Sequence, residues 1–409
     1  MEKETLRPQA GSLRILQLCH KPPRPGRDGG CLAMDAMSSG LMALGHRVRI
    51  LSACTHKHPC DAQLLDSDYV ERTGFTGIPI DTRLNAVDAL SSLVAGESYN
   101  IARFRTPEML AALRTLLQRV NFDVVLIESL FMAPYLDLIR EMSDALVVLR
   151  AHNVEHRIWS DLAQTTPGLT RRTYIRLLAK QLESFELGQL NAFDGILAIS
   201  AEDADAFREL GCTLPIEVVP FGLDLPNHQT PHPTVFPEVF HIGAMDWEPN
   251  LRGVRWLVDE VWPLVRESVP HAVLRLAGKA FPTDFQVPED QGVEVLGELA
   301  DASTLYARPA IMAIPLLSGS GMRIKAIEGA AAALPIVSTT IGAEGLSPAP
   351  PFAIADTPRE FADALIADLR CPEVAVERGQ AGLAWVDAHY NNPRLVARFA
   401  DFCLQQLAL

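Results

Sequence analysis

The chain has 409 residues and a formal net charge of −14; hydrophobic residues make up 48% and charged residues 21%. This length exceeds one ordinary domain and predicts two, and the acidic balance disfavours a general nucleic-acid binder, which needs a basic surface. Seven cysteines without a C-x-x-C pair fit a reducing compartment and argue against a disulfide framework. We expect a cytoplasmic protein, because the sequence shows no signal peptide and no apolar run near the ~20 residues of a membrane helix.

Strands and helices alternate from the start of the sequence. "LRILQLC" predicts a strand, "CLAMDAMSSGLMALG" a helix that ends at Gly45, and "HRVRILSA" the next strand. Residues 56–100 predict no element, and a Leu- and Ala-rich helix then runs to about Arg119. After it come the strands "FDVVLIES" and "ALVVL", the long helix "TRRTYIRLLAKQLESFELGQL", the strand "FDGILAIS", a helix that Ser200 caps, and the strand "IEVVP".

Residues 221–237, "FGLDLPNHQTPHPTVFP", are rich in Pro and His and predict a linker between domains. The alternation then resumes with the strand "VFHIGA", a helix from about Asn250 to Glu267, and the strands "AVLRLAG" and "VEVLG". A helix "ADASTLYA", a strand "AIMAIPL", a glycine-rich turn, a helix, the strands "PIVST" and "FAIA", and two closing helices follow. Each half therefore predicts a parallel sheet covered on both faces, so we expect two doubly wound α/β domains.

The stretch "LRAHNVEHRIW" places His152, Glu155 and His156 at the H-x-x-E-H spacing of an inverted zinc-protease motif. Such a site needs both histidines on one helical face and a third ligand from elsewhere. His152 instead directly follows a predicted strand, and no later Glu-rich helix offers that ligand, so we expect no metal. The carboxyl end of a strand is where open α/β sheets bind ligands, which keeps His152 as a functional candidate. The alternative is a histidine whose hydrogen bonds are satisfied within a turn.

The apolar strand, Ser-Gly-Ser-Gly turn and helix of "PLLSGSGMRIKAIEG" aim free backbone N–H groups and a positive helix end at an anion. Arg323 and Lys325 add positive charge there, and Glu328 shares a helical face with Lys325. A cation near the helix start and a carboxylate one turn on suit the phosphates and the ribose hydroxyls of a nucleotide diphosphate. The alternative is an ordinary helix with a surface ion pair, worth only ~0.3 kcal/mol.

The longer segment "SGSGMRIKAIEGAAAALPIVSTTIGAEGL" resembles the donor-binding segment of the retaining GT-B glycosyltransferases of group one, which are family-four-like. "PPRPGRDGGCLAMDAMSSGLMALGHRVRIL", "VVPFGLD" and "FHIGAMDWEPNLRGVRWLVDEVWPLV" are similar to other segments of that family. The resemblance implies a GT-B fold: two Rossmann-like domains facing across a cleft, with C-terminal helices packing back toward the N-terminal domain. It implies an acceptor-side domain at residues 12–222, a nucleotide-sugar domain at residues 235–388 and a returning helix at residues 389–409.

The resemblance also implies roles for individual residues. Its catalytic candidates are His152, which would contact the donor sugar or the acceptor, and Arg323 and Lys325, which would neutralise the diphosphate. Glu328 matches the ribose-binding glutamate, whereas Glu155 and His156 are expected to support the start of a helix. The remaining donor-binding candidates are Gly29, Gly30, Gly243, Asp246, Asn250, Gly319, Ser320 and Gly321, and Trp247 lies among them.

Two departures from the family pattern bear on these roles. The first of the family's two glutamates would fall at Ser320, so one expected contact to the donor sugar is missing or comes from elsewhere. The common Gly-Arg-x-x-x-x-Lys-Gly opening of the donor domain is replaced by "GAMDWEPN". We infer that Arg323 and Lys325 take over the neutralisation of the phosphates.

Together these features predict a metal-independent, retaining glycosyltransferase with no cofactor besides its nucleotide-sugar co-substrate and with a glycan, lipid-linked or small-molecule acceptor. A sugar-nucleotide epimerase of the same fold and a catalytically silent nucleotide-sugar-binding protein are the alternatives. A dinucleotide dehydrogenase is disfavoured, since no G-x-G-x-x-G follows the first strand. Basic residues on the long helix would allow peripheral contact with the inner face of the membrane, although the acidic residues that follow favour a solvated helix face. The basic residues are Arg171, Arg172, Arg176 and Lys180.

Overall fold

A computed structural model of the chain describes residues 11–26, 28–60, 65–83, 85, 92, 97–225, 238–287, 290–319 and 322–408. The chain divides into two compact units. The first comprises Met1–Gly222 and Asn392–Leu409, and the second comprises Leu223–Asn391. Most of the predicted linker lies outside the described residues, as do the candidate site residues Ser320 and Gly321.

The described part of the first unit contains a seven-stranded parallel sheet. Its strands are β1 Arg14–Cys19, β2 Arg47–Cys54, β3 Thr76–Pro79, β4 Val124–Glu128, β5 Leu146–Ala151, β6 Gly195–Ala198 and β7 Ile216–Val218. They lie in the order β3-β2-β1-β4-β5-β6-β7. Every residue of β4 and β5 is buried, because these apolar strands lie inside the sheet. The carboxyl ends of β1, β4 and β5 therefore meet as neighbours at one edge of the sheet.

Helices follow most strands of the first unit. They are α1 Gly29–Ala43, α2 Ser67–Thr73, α3 Tyr99–Ala102, α4 Pro107–Arg119, α5 Leu136–Met142, α6 Glu155–Thr165, α7 Leu169–Gln189 and α8 Ala201–Glu209. Ser200 caps α8 by accepting a hydrogen bond from the backbone N–H of Asp203, which confirms the predicted cap. The prediction of no element in residues 56–100 is wrong, since α2, β3 and the start of α3 lie there. These elements are too short to show a clear period in the sequence.

A six-stranded parallel sheet forms the core of the described second unit. Its strands are β8 Glu238–Ile242, β9 Val273–Ala277, β10 Val293–Gly297, β11 Ala310–Ile314, β12 Ile336–Ser338 and β13 Ala353–Ile354. They lie in the order β10-β9-β8-β11-β12-β13. Because β8 and β11 are neighbours in the middle of this sheet, the segments that leave their carboxyl ends come together.

The helices of the second unit are α9 Glu248–Trp256, α10 Trp262–Ser268, α11 Ser303–Tyr306, α12 Ile324–Ala331, α13 Pro358–Arg370 and α14 Pro372–His389. The helix predicted from about Asn250 to Glu267 is confirmed as one continuous helical stretch, in which a π-helical turn at Leu257–Val261 separates α9 from α10. The last of the two predicted closing helices, "PRLVARFADFCLQQL", is confirmed as α15 Asn392–Leu407, but two helices, α13 and α14, precede it where one was predicted.

Helix α15 belongs to the first unit and packs on α1. The Asn392 side-chain amide donates a hydrogen bond to the Ala36 carbonyl at 2.9 Å. Gly40 permits the close approach of the two helices, because a Cβ atom there would lie 2.7 Å from a methyl group of Val396. This confirms the expected return of the C-terminal helix to the N-terminal domain.

Cys54 and Cys60 form a disulfide bond, and the other five cysteines are not part of a disulfide. The scattered cysteine spacing did not predict this pairing. Among the described residues, no helix is both long enough and apolar enough to cross a membrane.

Candidate functional site

Three polar side chains meet at the carboxyl edge of the first sheet. His20 follows β1, Glu128 is the last residue of β4, and His152 is the first residue after β5. The His20 and His152 rings lie edge to face with their centroids 5.7 Å apart. The strand order explains the cluster, since these strands are neighbours and parallel.

Glu128 is the centre of this cluster. Its carboxylate is fully buried and accepts hydrogen bonds from the Gln17 amide at 2.8 Å, the Arg150 guanidinium at 3.3 Å and Nε2 of His152 at 2.8 Å. Burial raises the pKa of a carboxyl group, but Arg150, His152 and Gln17 outweigh it and lower the pKa of Glu128 to about 2. Glu128 is therefore ionised at neutral pH, and it holds His152 in place.

The backbone of β4 also holds His20. Its Nδ1 atom lies 3.0 Å from the carbonyl oxygen of Glu128. Burial, together with the neighbouring His152 and Lys21, lowers the pKa of His20 to about 3. The ring is therefore neutral at physiological pH. Sequence reasoning missed both His20 and Glu128, although each directly marks the end of an apolar strand, which was the available signal.

The candidate glycines Gly29 and Gly30 form the first turn of α1, which begins two residues before the predicted helix "CLAMDAMSSGLMALG". Asp28 caps this helix, and Lys21 Nζ lies 2.8 and 2.9 Å from its two carboxylate oxygens. A Cβ atom at Gly30 would lie 2.7 Å from the Lys21 ammonium. In the structure, this glycine makes room for Lys21.

A carboxylate, a thiol and an imidazole converge beside these glycines. Ligand atoms of Asp28, Cys31 and His58 all lie within 4.8 Å of one another. His58 Nε2 is 2.8 Å from Asp28, but the Lys21 ammonium already contacts both oxygens of that carboxylate. The Lys21 ammonium therefore already neutralises the charge of this carboxylate.

The H-x-x-E-H residues do not converge on one point. His152 bonds Glu128, whereas Nδ1 of His156 bonds the buried Glu186 on α7 at 2.6 Å. Glu186 also accepts the backbone N–H groups of Glu155 and His156 and so caps the start of α6. Burial and the nearby Glu186 raise the pKa of Glu155 to about 8. Within the described ranges these three residues form no group of metal ligands.

In the second unit, Lys325 lies at the start of α12, where it meets the segment that follows β8. Its Nζ atom donates to Oδ1 of Asn250 at 2.8 Å and to the Ile242 carbonyl at 3.1 Å. Gly243 allows this packing, because a Cβ atom there would lie 2.7 Å from the Asn250 side chain. The structure therefore brings Gly243, Asn250 and Lys325 together.

The Lys325 ammonium is hydrogen-bonded to two neutral groups. Burial lowers its pKa to about 7, and the positive charge of Arg323 acts in the same direction, against the weaker opposing effect of Glu328. The ammonium form of Lys325 is thus less stable here than that of a solvent-exposed lysine. An anion at this point would favour the charged form.

Arg323 is buried beside the partly exposed Trp247, with the guanidinium carbon 5.7 Å from the ring centroid. Its Nε atom donates to the Ile341 carbonyl at 3.3 Å, and its terminal nitrogen lies 3.7 Å from Glu344. Gly319 packs on the same indole, where a Cβ atom would approach to 2.9 Å. Arg323 therefore joins Trp247 and the segment after β12 to the start of α12.

Glu328 lies one turn further along α12. The hydroxyl of Tyr306, on α11, donates a hydrogen bond to its carboxylate at 2.9 Å, a contact that the sequence did not reveal. Burial raises the pKa of Glu328, against the opposing effects of Tyr306 and Lys325. Asp246 is exposed, and its carboxylate lies 3.7 Å from the ammonium of the exposed Lys279.

Two parallel α/β units of this kind, each with polar groups at its carboxyl edge, define the GT-B class of fold, and comparison with solved structures agrees. Sucrose-phosphate synthase from Thermosynechococcus elongatus is 14% identical, over 97% of this chain and 99% of that chain, with a TM-score of 0.67. Anabaena HepE in complex with UDP is 13% identical, over 96% and 100%, with a TM-score of 0.63. WaaG, a glycosyltransferase involved in lipopolysaccharide biosynthesis, is 15% identical, over 95% and 99%, with a TM-score of 0.58.

Family models match both units. The model "Glycosyltransferase Family 4" matches residues 33–226, and "Glycosyl transferases group 1" matches residues 236–370. The first unit thus carries a Glycosyltransferase Family 4 domain and the second a group 1 glycosyl transferase domain. An uncharacterized 44.6 kDa protein in the cps region of Klebsiella pneumoniae is 24% identical over 253 residues, which are 57% of this chain and 61% of that protein. The match thus spans less than two thirds of that relative.

Proposed function

We propose that the protein transfers a sugar, with retention of anomeric configuration, from a nucleotide-diphosphate donor bound by the second unit. The observation that carries this proposal is the presence of a cation and a carboxylate one turn apart on α12. Lys325 offers a cation at its start and Glu328 a carboxylate one turn later, and each is hydrogen-bonded to neutral partners. The two glycosyltransferase family models that match the chain support it.

In this proposal the diphosphate of the donor binds Lys325 at the positive N-terminal end of α12. As the bond to the sugar breaks, negative charge grows on the leaving diphosphate, and a positioned ammonium stabilises that charge. Arg323 holds the surrounding segment in place through Trp247 and Ile341. No metal ion is needed, because these groups supply the positive charge.

Glu328 accepts hydrogen bonds from the donor ribose in the same proposal. A carboxylate has several lone-pair positions, so it can keep the Tyr306 hydroxyl and still accept two ribose hydroxyls. The Anabaena neighbour was solved with UDP and with UDP-glucose, which makes uridine nucleotides the first donors to try.

The first unit binds the acceptor, and His152 acts there. Neighbouring proteins favour a glycan or lipid-linked acceptor: WaaG is involved in lipopolysaccharide biosynthesis, and the Klebsiella relative is encoded in a cps region. A catalytically silent nucleotide-sugar binder would bind the donor without turnover, and an epimerase would convert it with no acceptor present.

Helix α7 supports peripheral contact of the first unit with anionic lipid. Leu169, at its start, is 81% exposed, and Leu177 and the basic Arg176 and Lys180 are exposed further along. An apolar side chain beside basic residues is the pattern of an interfacial helix. Flotation with phosphatidylglycerol vesicles tests this contact. Binding that persists unchanged in Leu169→Glu would refute it.

A thermal-shift screen against UDP, GDP, dTDP and ADP sugars tests the proposed donor. A ligand at 100-fold its Kd stabilises the fold by ~2.7 kcal/mol, which a melting curve resolves. Transfer assays with the best binder and an oligosaccharide panel then follow, and NMR of the product reports the anomeric configuration. Absence of any stabilisation, or an inverted product, would overturn the proposal.

A further inference from the structure

The disulfide of the first unit closes the loop that follows β2. Cys54 is the last residue of β2, and Cys60 follows six residues later. Between them, Thr55 and His58 exchange two backbone hydrogen bonds, each at 3.1 Å. The loop is therefore a compact turn whose two ends are joined covalently.

The neighbouring strand leaves room for the two sulfur atoms. Gly77 lies on β3, which pairs with β2 in the sheet. A Cβ atom at Gly77 would lie 2.6 Å from Sγ of Cys54 and would also collide with Sγ of Cys60. Because glycine has no Cβ atom, the closed disulfide packs directly on the backbone of β3.

The loop brings His58 to the start of α1. Nε2 of His58 lies 2.8 Å from Oδ2 of Asp28. Asp28 caps α1 by accepting a hydrogen bond from the backbone N–H of Cys31 at 3.0 Å, and it also pairs with Lys21. Such a cap satisfies a backbone group that has no partner inside the helix. The position of the loop thus bears on the first turn of α1, which contains two of the candidate donor-binding glycines.

The same stretch, "CTHKHPC", also has the spacing of a metal site, with Cys54, His56, His58 and Cys60 at alternate positions. The structure separates these four side chains. His58 contacts Asp28, His56 is exposed, and the two sulfur atoms are bonded to each other. A disulfide therefore accounts for the pattern.

The other five cysteines are not part of a disulfide, and three of them are buried. Many unpaired thiols are typical of a reducing compartment, where a disulfide forms only when the surroundings become oxidising. We propose that Cys54 and Cys60 form a reversible redox switch, which holds His58 on Asp28 when oxidised and releases it when reduced. Its effect on sugar transfer rests on the proposed function, whereas its effect on the loop and on α1 does not.

Opening of the switch is an exchange with a low-molecular-weight thiol such as glutathione. Cys60 is more exposed than Cys54, so the small thiolate attacks Sγ of Cys60, the S–S bond breaks, and Cys54 leaves as a thiolate. A second small thiol attacks the mixed disulfide and releases Cys60. The protein gains two electrons and two protons, and the two small thiols become one disulfide. Closure is the reverse reaction, with that small disulfide as the oxidant.

The first test measures the switch without any assay of activity. The full chain is equilibrated in glutathione buffers of stepped redox ratio. Alkylation and mass spectrometry then give the fraction of Cys54 and Cys60 in the disulfide, and hydrogen exchange reports on the first turn of α1. We expect the Cys31 amide to exchange about tenfold faster after reduction, roughly the factor that one hydrogen bond contributes.

Three variants sharpen this test. Cys60→Ser should exchange like the reduced protein in every buffer, and His58→Ala should do so while its disulfide still forms. Cys371→Ser, at an exposed cysteine outside the loop, is the control and should respond like the unaltered protein. Loop cysteines that stay reduced in the oxidising buffer, zinc bound by them in the purified protein, or equal exchange of α1 in both states would overturn the inference.

The second test measures transfer from the nucleotide sugar. Reduction and Cys60→Ser should each lower kcat about tenfold, whereas the affinity for free nucleotide diphosphate should not change, because the proposed nucleotide site lies in the other unit. Equal kcat in the oxidised and reduced protein would refute a regulatory role. If the unaltered protein turns over no nucleotide sugar in either state, the proposed function fails, and the exchange of α1 still decides this inference.

Discussion

The two units differ in how far their buried charges are compensated by neighbouring groups. In the first unit, the Glu128 carboxylate has Arg150 beside it and three hydrogen-bond donors, and its pKa falls to about 2. In the second, burial lowers the pKa of Lys325 to about 7 and raises that of Glu328, and both are hydrogen-bonded to neutral groups. The first group of charges is compensated within the protein, whereas the second is only partly compensated.

This difference indicates what each unit is suited to bind. A buried charge with incomplete compensation gains most from a charged or strongly hydrogen-bonding ligand, and such groups cluster at functional sites. The second unit therefore suits a diphosphate with its ribose. The first unit, whose charges are already paired, suits neutral hydroxyl groups. The proposed division between donor and acceptor follows from these electrostatics.

Removal of the Lys325 ammonium should give the largest effect. Lys325→Met should lower kcat/KM for the nucleotide sugar roughly a hundredfold, since a hydrogen bond to a charged group contributes ~1.5–3 kcal/mol. The melting temperature should not fall, because the variant removes a buried charge that lacks a counterion. Lys279→Met, at an exposed lysine of the same unit, is the control and should keep full activity. Full activity in Lys325→Met would place the diphosphate elsewhere.

The pH dependence of nucleotide binding should come next in size. An anion pairs with the ammonium form of Lys325 and raises its pKa in the complex above the value of about 7 in the free protein. Affinity for the free nucleotide diphosphate is therefore highest below pH 7. It falls as the pH rises through 7, by up to tenfold per pH unit. Calorimetry between pH 6 and pH 9 measures this slope. Lys325→Met should abolish it; an unchanged slope would contradict the assignment.

Loss of the Tyr306 hydroxyl should give a smaller effect. Tyr306→Phe removes one neutral donor from Glu328 and should weaken nucleotide affinity by roughly two- to tenfold, since such bonds contribute ~0.5–1.5 kcal/mol. Equilibrium titration with the free nucleotide checks this. An effect as large as that of Lys325→Met would mean that Tyr306 itself contacts the ligand.

Chelation should have no effect on turnover. Lys325 and the start of α12 supply the positive charge in this account, and Lys21 already pairs with Asp28 in the Asp28–Cys31–His58 group. Initial rates with and without excess EDTA, together with metal analysis of the purified protein, provide the check. Stoichiometric zinc and loss of activity on chelation would refute metal independence.

The sequence predicted features that depend on local pattern. The alternation of apolar strands and helices predicted two α/β domains, because the residue pattern of a strand or of a helix is visible within a few consecutive residues. The position of His152 after β5, and the spacing of Lys325 and Glu328 on α12, were visible for the same reason.

Contacts between distant segments could not be predicted in this way. Lys325 and Asn250 are 75 residues apart, and Glu128 and His152 are 24 apart, so only the strand order brings each pair together. Glu128 also ends an apolar strand, where a carboxylate is expected to reach solvent, and only Arg150 and Gln17 explain its burial. The disulfide between Cys54 and Cys60 likewise depends on how the loop after β2 folds.

Calorimetry of the free nucleotide diphosphate with Glu328→Ala and His152→Ala, beside transfer kinetics, tests the central claim most directly. The account predicts that Glu328→Ala weakens nucleotide binding roughly ten- to a hundredfold, the energy of a hydrogen bond to a charged group. It predicts that His152→Ala leaves this affinity unchanged but lowers kcat for transfer. Loss of nucleotide binding in His152→Ala, or unchanged binding in Glu328→Ala, would contradict the assignment of donor and acceptor to the two units.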